Sequence, residues 1–216
     1  MVCILRILAI FTIWSYPDIE IYQNRFQMTD DLNKLTTEEL GLLFPIIIVD
    51  YDPGWHKLYS VEKRNILQAL GIHNVLRIEH IGSTAVPGLC AKPTIDILIE
   101  IPGVPNCDTL IKDLQKIHYQ HIPKQDNPPP HCMFAKGYSG SGITGQTYHL
   151  HLRYRGDHDE LVFRDYLINN PETAQEYGDL KRKLAEEFKN DREKYTEGKG
   201  QFIRRIIKKA RGQVSS

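Results

Sequence analysis

The chain has 216 residues, with 27 Lys and Arg balanced by 27 Asp and Glu, and it is long enough for one sizeable buried core. The balanced charge excludes a whole-molecule field that attracts nucleic acid or a membrane, so partners must be recognised by local sites. Its four cysteines show no Cys-x-x-Cys spacing, which argues against a disulfide framework or a zinc cage and favours the reducing cytoplasm.

Residues 1–27 form an N-terminal stretch that differs in composition from the rest of the chain. Residues 2–14 are apolar apart from Arg6, and they fall short of the roughly 20 residues that a membrane-spanning helix needs. We interpret residues 1–27 as a leader or a mis-called start upstream of Met28, with a signal peptide as the alternative. A single domain without a membrane partner is expected over residues 28–216.

The first half of this domain alternates predicted strands with predicted helices. Runs rich in β-branched residues predict strands over 43–51, 75–81 and 94–101. Apolar residues at helical spacing predict helices that begin at Thr36, over 55–70 and over 108–121, with Trp55 anchoring the core. Residues 82–93 contain too much glycine and proline for a continuous helix.

The second half moves from strands to helices. A triple proline makes 123–130 a loop, and strands are predicted over 133–136 and 147–154, joined by a mobile, glycine-rich connection. Asn170 before Pro171 indicates an N-cap, and a last helix is predicted from Asp191 to about Ala210. This order predicts an α/β (α+β) fold in which C-terminal helices pack on a mixed sheet.

The stretch 80–89, HIGSTAVPGL, carries the clearest chemical signal, together with the strand that follows it. Gly82 lets the backbone approach a phosphate, and the Ser83 hydroxyl and free turn N–H groups can bind an anionic oxygen. Asp96 on the next strand could hold a divalent metal that bridges the same phosphates. This combination indicates a nucleotidyl-transfer site.

HIGSTAVPGL and AKPTIDI resemble the signature block of the GrpB family, and LFPIIIVDYDPGW, YHLHLRY, FRDYL and KYTEGKGQFI agree with it. The likeness extends from about Leu40 to Ala210. GrpB-like domains are regarded as members of the nucleotidyltransferase superfamily and are sometimes fused to dephospho-CoA kinase. The resemblance therefore implies a nucleotidyltransferase-like mixed sheet flanked by helices, and a nucleotide or small phosphorylated metabolite as the partner rather than nucleic acid.

The superfamily pattern also contains a second acid on the same strand, two residues and roughly 7 Å beyond the first. In this sequence Leu98 occupies that position, and Glu100, roughly 13 Å from Asp96, is too distant to share an ion with it. The acid pair is incomplete, which leaves catalysis open. The alternatives are nucleotidyl transfer from an NTP to a small acceptor, and non-catalytic binding of a nucleotide or metabolite.

Two histidines on the strand 147–154 could complete the site. Alternation places His149 and His151 on one face, between Thr147 and Arg153, where they could face Asp96. A metal site on Asp96, His149 and His151 would suit Mg²⁺, Mn²⁺ or Zn²⁺ and would allow a metal-dependent hydrolase as a further alternative. The other interpretation is a hydrogen-bonded cleft wall without metal, and for His80 that interpretation is preferred.

The remaining site predictions follow from the motif and the resemblance. Asp96 and Ser83 are the predicted catalytic residues, although no Gly-x-Ser-x-Gly elbow supports Ser83 as a nucleophile. Lys92 could neutralise a triphosphate or be an exposed loop lysine, and Tyr195 and Lys199 could reach the nucleotide or simply be helical neighbours. The predicted nucleotide-binding residues are Gly82, Ser83, Thr84, Lys92, Tyr195 and Lys199.

Overall fold

The computed structural model describes residues 35–102, 107–122 and 132–214, which form helices around one sheet. The helices are α1 (Thr37–Leu43), α2 (Gly54–Leu70), α3 (Cys107–Lys116), α4 (Asp159–Asn169), α5 (Pro171–Glu187) and α6 (Arg192–Val214). The strands are β1 (Arg77–Ile81), β2 (Thr94–Ile101), β3 (Gln120–Ile122), β4 (Cys132–Ser139) and β5 (Gly142–Tyr154). The predictions for 1–27 and 123–130 lie outside the described residues.

The five strands form one mixed sheet in the order β1-β2-β5-β4-β3. The central pair, β2 and β5, is parallel, while each of the other neighbouring pairs is antiparallel. This architecture confirms the mixed sheet flanked by helices that the sequence predicts.

One face of the sheet packs against α2 and α3. The isoleucines of β2 that point to this face are fully buried, and Trp55 at the start of α2 is 2% exposed. Burial of one such side chain contributes about 1.5–3 kcal/mol, so this layer supplies much of the stability of the sheet. The isoleucines concerned are Ile95, Ile97, Ile99 and Ile101.

The other face carries the polar residues of β2 and β5 and lies towards the C-terminal helices. The parallel register pairs Asp96 with His149 and Leu98 with His151. Leu98 packs against Ile81 and against Leu161 of α4. The part of this face around Leu98 is therefore apolar, although it lies beside the polar pair of Asp96 and His149. The predicted packing of C-terminal helices on the sheet is confirmed. Among the described helices, none combines the length and apolar character needed to cross a membrane.

The predicted strand over 43–51 is wrong. This segment makes only an isolated bridge between Val49 and Ala91. Ile46 packs against Leu184 and Tyr195, and its N–H donates to the carbonyl of Lys189 at 2.8 Å. The apolar run therefore binds the C-terminal helices instead of joining the sheet.

Two other boundaries differ from the sequence prediction. The helix predicted over 108–121 ends at Lys116, because His118 adopts a positive φ of 70° and the chain then enters β3. The connection predicted over 137–145 is a hairpin in which β4 reaches Ser139 and β5 begins at Gly142. A register shift between Lys136 and Tyr138 accommodates the glycine within β4.

Candidate active site

The turn after β1 lies directly beside Asp96. Gly82 has φ +71°, and Ser83–Ala85 form one turn of 3₁₀ helix. A Cβ atom on Gly82 would lie 2.9 Å from Asp96 Cγ, so only glycine allows the backbone to pass this carboxylate. The Asp96 side chain is 27% exposed, so it remains accessible to solvent beside the turn. The structure thus brings the predicted turn and the predicted carboxylate together.

Asp96 forms a hydrogen-bonded chain with two side chains of the β4–β5 hairpin. His149 Nδ1 lies 3.1 Å from Asp96 Oδ1, and His149 Nε2 lies 3.0 Å from the Tyr138 hydroxyl. Because an ionised carboxylate only accepts, Nδ1 carries the proton and Nε2 accepts from Tyr138. His151 Nε2 is 4.0 Å from Asp96 Oδ1. The predicted convergence of both histidines on Asp96 is therefore present.

The charge states in this chain follow from burial and hydrogen bonding. Burial raises the pKa of Asp96, but the hydrogen bond from His149 and the proximity of His151 outweigh it and hold the pKa well below its usual range. Burial lowers the pKa of His149 despite the opposing effect of Asp96. At neutral pH the pair is therefore a carboxylate hydrogen-bonded to a neutral imidazole.

The side-chain amino groups of two lysines lie over the aromatic ring of Tyr195, a residue that is 2% exposed. The Nζ atoms of Lys92 and Lys199 lie 5.8 Å and 4.3 Å from the ring centroid. Burial, followed by the charges of Arg192 and Lys199, lowers the pKa of Lys92 to about 8. Burial also lowers the pKa of Lys199 to about 8, against the opposing effect of Asp96.

Neither ammonium group forms a direct ion pair with a described residue, although the charge of Asp96 opposes the lowering of both pKa values by burial. Among the described residues, no carboxylate oxygen lies within 4.0 Å of Lys92 or Lys199. Burying a cation without a paired anion costs free energy, which cation–π contact with Tyr195 offsets only in part. The lysines, Asp96 and the Gly82–Ser83 turn together define what we call the cleft.

The sequence model of the GrpB protein family matches residues 45–209. The chain belongs to the GrpB family. A UPF0157 protein of Pseudomonas aeruginosa is 40% identical over 167 residues, which cover 76% of this chain and 67% of that protein. Glutamate-rich protein GrpB of Alkalihalophilus pseudofirmus is 34% identical over 166 residues, covering 75% of this chain and 94% of that protein.

A solved structure of the family shares the fold. Conserved protein GrpB from Enterococcus faecalis superposes with a TM-score of 0.68 at 32% identity, over 79% of this chain and 100% of that chain. The GrpB resemblance predicted from HIGSTAVPGL and its flanking blocks is therefore confirmed, and with it the fold expected of a GrpB protein.

The structure also contains a fully buried lysine that the sequence analysis did not single out. Lys181 on α5 is 2% exposed, donates to the carbonyl of Cys90, and lies 4.8 Å from the ring centroid of Tyr177. Burial lowers its pKa to about 7, and the charge of Lys199 adds to this effect. The signal was available in the sequence, because Lys181 interrupts the apolar stripe of a GrpB helix.

Thr84 does not line the cleft as predicted. It is 1% exposed, and its hydroxyl lies 3.0 Å from His80 Nε2 and 3.2 Å from the Thr94 carbonyl. His80 does not join the other two histidines either. It lies on the opposite face of the sheet, stacked on Tyr59 with ring centroids 4.8 Å apart.

The donors around Asp96 do not by themselves form a resident metal centre. Within the described ranges, no group of three or more His, Cys, Asp or Glu residues is arranged to hold a metal ion. His149 uses one ring nitrogen towards Asp96 and the other towards Tyr138. The position of the second superfamily acid, Leu98, is 0% exposed. The prediction of a metal on Asp96, His149 and His151 therefore gains no support from the placement of these side chains.

Glu100 also has a role outside the cleft. Its Oε1 accepts from Arg77 at 2.7 Å, from His158 at 2.8 Å and from the Gly156 N–H at 3.2 Å. These bonds keep its pKa below the usual range although burial opposes them. Glu100 therefore stabilises the far end of β2 and is not a second acid for Asp96.

Proposed function

We propose that this GrpB-family chain binds a nucleotide or another small phosphorylated metabolite in the cleft. The observation that carries the proposal is the pair of partly buried ammonium groups of Lys92 and Lys199. Neither has an ion-pair partner among the described residues, and both lie close enough to Asp96, the residue beside the Gly82–Ser83 turn, for its charge to oppose the lowering of their pKa values by burial. A phosphate between them would supply the missing counter-charge and would form charge-assisted hydrogen bonds. The lowered pKa of each lysine supports the proposal, because a bound anion would stabilise the charged form and raise the pKa towards its usual value.

The turn and Asp96 would contribute to phosphate binding in different ways. The backbone of the turn can approach a phosphate closely because residue 82 is glycine. Asp96 repels a bare anion, so its contribution requires a cation between carboxylate and phosphate. A Mg²⁺ ion that arrives with the nucleotide would meet Asp96 as its one carboxylate from this site, with phosphate oxygens and water as the other ligands.

Nucleotidyl transfer is the second candidate, and the partly exposed, ionised Asp96 beside a Gly-Ser turn favours it. In that reaction an acceptor oxygen would form a bond to the α-phosphorus while the bond to pyrophosphate breaks. Lys92 and Lys199 would then stabilise the negative charge that develops on the leaving group. Leu98 weighs against turnover, since the second acid is absent, and ligand binding is therefore the first proposal.

Isothermal titration calorimetry with ATP, with and without Mg²⁺, tests the binding proposal. Wild type is expected to bind, and Lys92→Met and Lys199→Met to bind about tenfold or more weakly, because each removes one buried cation. Lys194→Met on the same helix is the matched control, since Lys194 is exposed and pairs with Asp191 at 3.0 Å. Equal affinities for all four proteins, or no binding to wild type, would refute the proposal.

A second measurement separates binding from catalysis. Labelled ATP, Mg²⁺ and a panel of amine, hydroxyl and phosphate acceptors are incubated with the protein, and pyrophosphate release is followed. Release that disappears in Asp96→Asn would establish nucleotidyl transfer, whereas binding without release would leave the non-catalytic function. Stoichiometric zinc or manganese in the purified protein would instead favour the metal-dependent hydrolase.

A further inference from the structure

We propose that Thr84 and His80 are positioning residues that hold the Gly82–Ser83 turn against Asp96 through a buried hydrogen-bonded chain. The part of this proposal that concerns ligand affinity rests on the proposed function, while the part that concerns the turn does not. In this role the Thr84 hydroxyl never contacts the ligand.

The chain of hydrogen bonds has one possible direction. Thr84 is 1% exposed, and its hydroxyl lies 3.2 Å from the carbonyl oxygen of Thr94, which can only accept. The single hydroxyl proton is used there, so the contact of 3.0 Å with His80 Nε2 requires His80 to donate. The chain therefore runs from His80 on β1, through the turn, to the first residue of β2.

His80 is fixed as a neutral donor by the residues around it. Its ring stacks on Tyr59 with an interplanar angle of 14°, and His56 meets it edge-on with centroids 5.3 Å apart. The Tyr59 hydroxyl donates to the Ile78 carbonyl at 2.9 Å, which holds this ring in place. Burial, with the charge of His56, lowers the pKa of His80 to about 4, so the imidazole stays neutral in the physiological range.

The same network reaches the segment that carries Lys92. The Thr94 and Thr147 hydroxyls are 2.9 Å apart, and Gln146 Nε2 donates to the Pro93 carbonyl at 2.7 Å. The start of β2 is thus tied to β5, while Thr84 ties the turn to the start of β2. The turn and the segment that carries Lys92 therefore share hydrogen-bonded anchors at residues 93–94.

This connection explains why a hydroxyl is buried at position 84. A 3₁₀ turn rotates successive side chains by about 120°, so Ser83 and Thr84 point in different directions. Ser83 remains partly exposed, whereas Thr84 is buried. A valine at 84 would fill the same space but could not link His80 to Thr94, so the turn would lose its lateral support.

The variants Thr84→Val and Thr84→Ser separate the effect of the hydroxyl group from the effect of side-chain volume. The first readout is amide hydrogen exchange by NMR at Ala85 and Val86, whose N–H groups donate to the Gly82 and Ser83 carbonyls at 3.2 Å. Thr84→Val is expected to exchange about tenfold faster at both amides, while Thr84→Ser stays within about twofold of wild type. Thr196→Val, at an exposed position on α6, is the control.

The second readout is the dissociation constant of ATP with Mg²⁺, measured by calorimetry. Thr84→Val is expected to bind about tenfold more weakly and Thr84→Ser as wild type does, a rescue that a purely space-filling role would not produce. His80→Phe, which keeps the ring stacked on Tyr59 but removes the donor, should reproduce the Thr84→Val result if that variant does not fold.

The outcomes distinguish the two proposals. Unchanged exchange at Ala85 and Val86 in Thr84→Val, or in His80→Phe if the first variant does not fold, overturns the positioning role. Faster exchange with unchanged ATP affinity supports the role of Thr84 in holding the turn and overturns the part of the proposal that concerns ligand affinity. If wild type binds no ATP, the proposed function fails, and the exchange rates alone decide whether Thr84 and His80 hold the turn.

Discussion

A Cβ atom on Gly82 would lie 2.9 Å from Cγ of Asp96, because the turn after β1 crosses directly beside the carboxylate of β2. The antiparallel register explains this proximity, since Ile81, the last residue of β1, pairs with Asp96. The chain therefore leaves β1 directly beside Asp96. Under the proposed function, this proximity would let a phosphate at the turn and Asp96 share a cation.

Gly82→Ala should damage both the turn and binding. The new methyl group collides with Asp96, and alanine is strained at φ +71°, so we expect a loss of roughly 1–3 kcal/mol in the free energy of unfolding. ATP affinity should fall at least as strongly as in Lys199→Met. Urea unfolding and calorimetry measure the two effects.

Gly88→Ala is the matched control for this substitution. Gly88 has φ +77°, but beyond its chain neighbours no heavy atom of the described residues lies within 4 Å of the position that the new methyl group would occupy. Alanine there meets backbone strain without a collision, so the variant should lose stability and keep ATP affinity. Equal effects of the two substitutions on affinity would show that the space beside Asp96 is irrelevant to the ligand.

Asp96→Asn should change the dependence of binding on Mg²⁺. Without metal, removal of the negative charge is expected to strengthen ATP binding about threefold, because repulsion of the phosphates is lost. Addition of Mg²⁺ should leave the ATP affinity of the variant unchanged, whereas it should raise the ATP affinity of wild type. Calorimetric titrations with and without Mg²⁺ measure both quantities, and a preserved Mg²⁺ effect in the variant would remove Asp96 from the account.

Leu98→Asp tests whether an acid can be placed two residues after Asp96, at the position where the nucleotidyltransferase pattern has its second acid. Leu98 is 0% exposed and packs against Ile81 and Leu161, so an aspartate there would be buried among apolar side chains. We expect destabilisation of several kcal/mol and no gain of metal binding. Leu98→Ala should cost about 2–5 kcal/mol by comparison. A stable Leu98→Asp protein that releases pyrophosphate would contradict this expectation.

The lysines of the cleft should make the stability of the free protein depend on pH. Lys92 and Lys199 have pKa values of about 8 in the folded chain, against 10.5 without the fold. Above pH 8 the unfolded chain therefore holds more protons than the folded one, and the free energy of unfolding rises with pH. The slope is at most about 1.4 kcal/mol per pH unit for each lysine.

This dependence is best measured between pH 8 and about 9.5. Tyr59, whose pKa burial raises to about 12, opposes the trend once tyrosines of the unfolded chain begin to ionise near pH 10. Lys199→Met should be more stable than wild type at pH 7.5 and should show a smaller slope. A free energy of unfolding that falls between pH 8 and 9.5 would show that the lysines are not buried as described.

The sequence predicted the elements in which local pattern and tertiary environment agree. Alternation along 94–101 and 147–154 has a period of two, and both strands keep that alternation in the sheet, so the convergence of Asp96, His149 and His151 could be predicted. The segment 43–51 has an equally good strand pattern, but Ile46 binds the C-terminal helices. The local sequence pattern does not show whether a short apolar run will join a sheet or pack against helices.

Several residues of the site could not be assigned from sequence for a different reason. Tyr138 lies after a register shift in β4, and a shift of one residue reverses the face to which a side chain points. Thr84 looked like a second hydroxyl for the ligand, yet the 3₁₀ turn directs it into the protein. Lys181 interrupts the apolar stripe of α5 in the sequence, but its contacts with the Cys90 carbonyl and the Tyr177 ring could be assigned only from the structure.

Proton uptake on binding tests the central account most directly. Calorimetric titration of the protein with ATP at pH 8, repeated in buffers of different ionisation enthalpy, gives the number of protons taken up. An anion that raises the pKa of Lys92 and Lys199 should cause uptake of roughly half a proton per lysine, and Lys199→Met should take up correspondingly less. Binding without proton uptake, or uptake unchanged in Lys199→Met, would contradict a cleft in which these two lysines hold the phosphates.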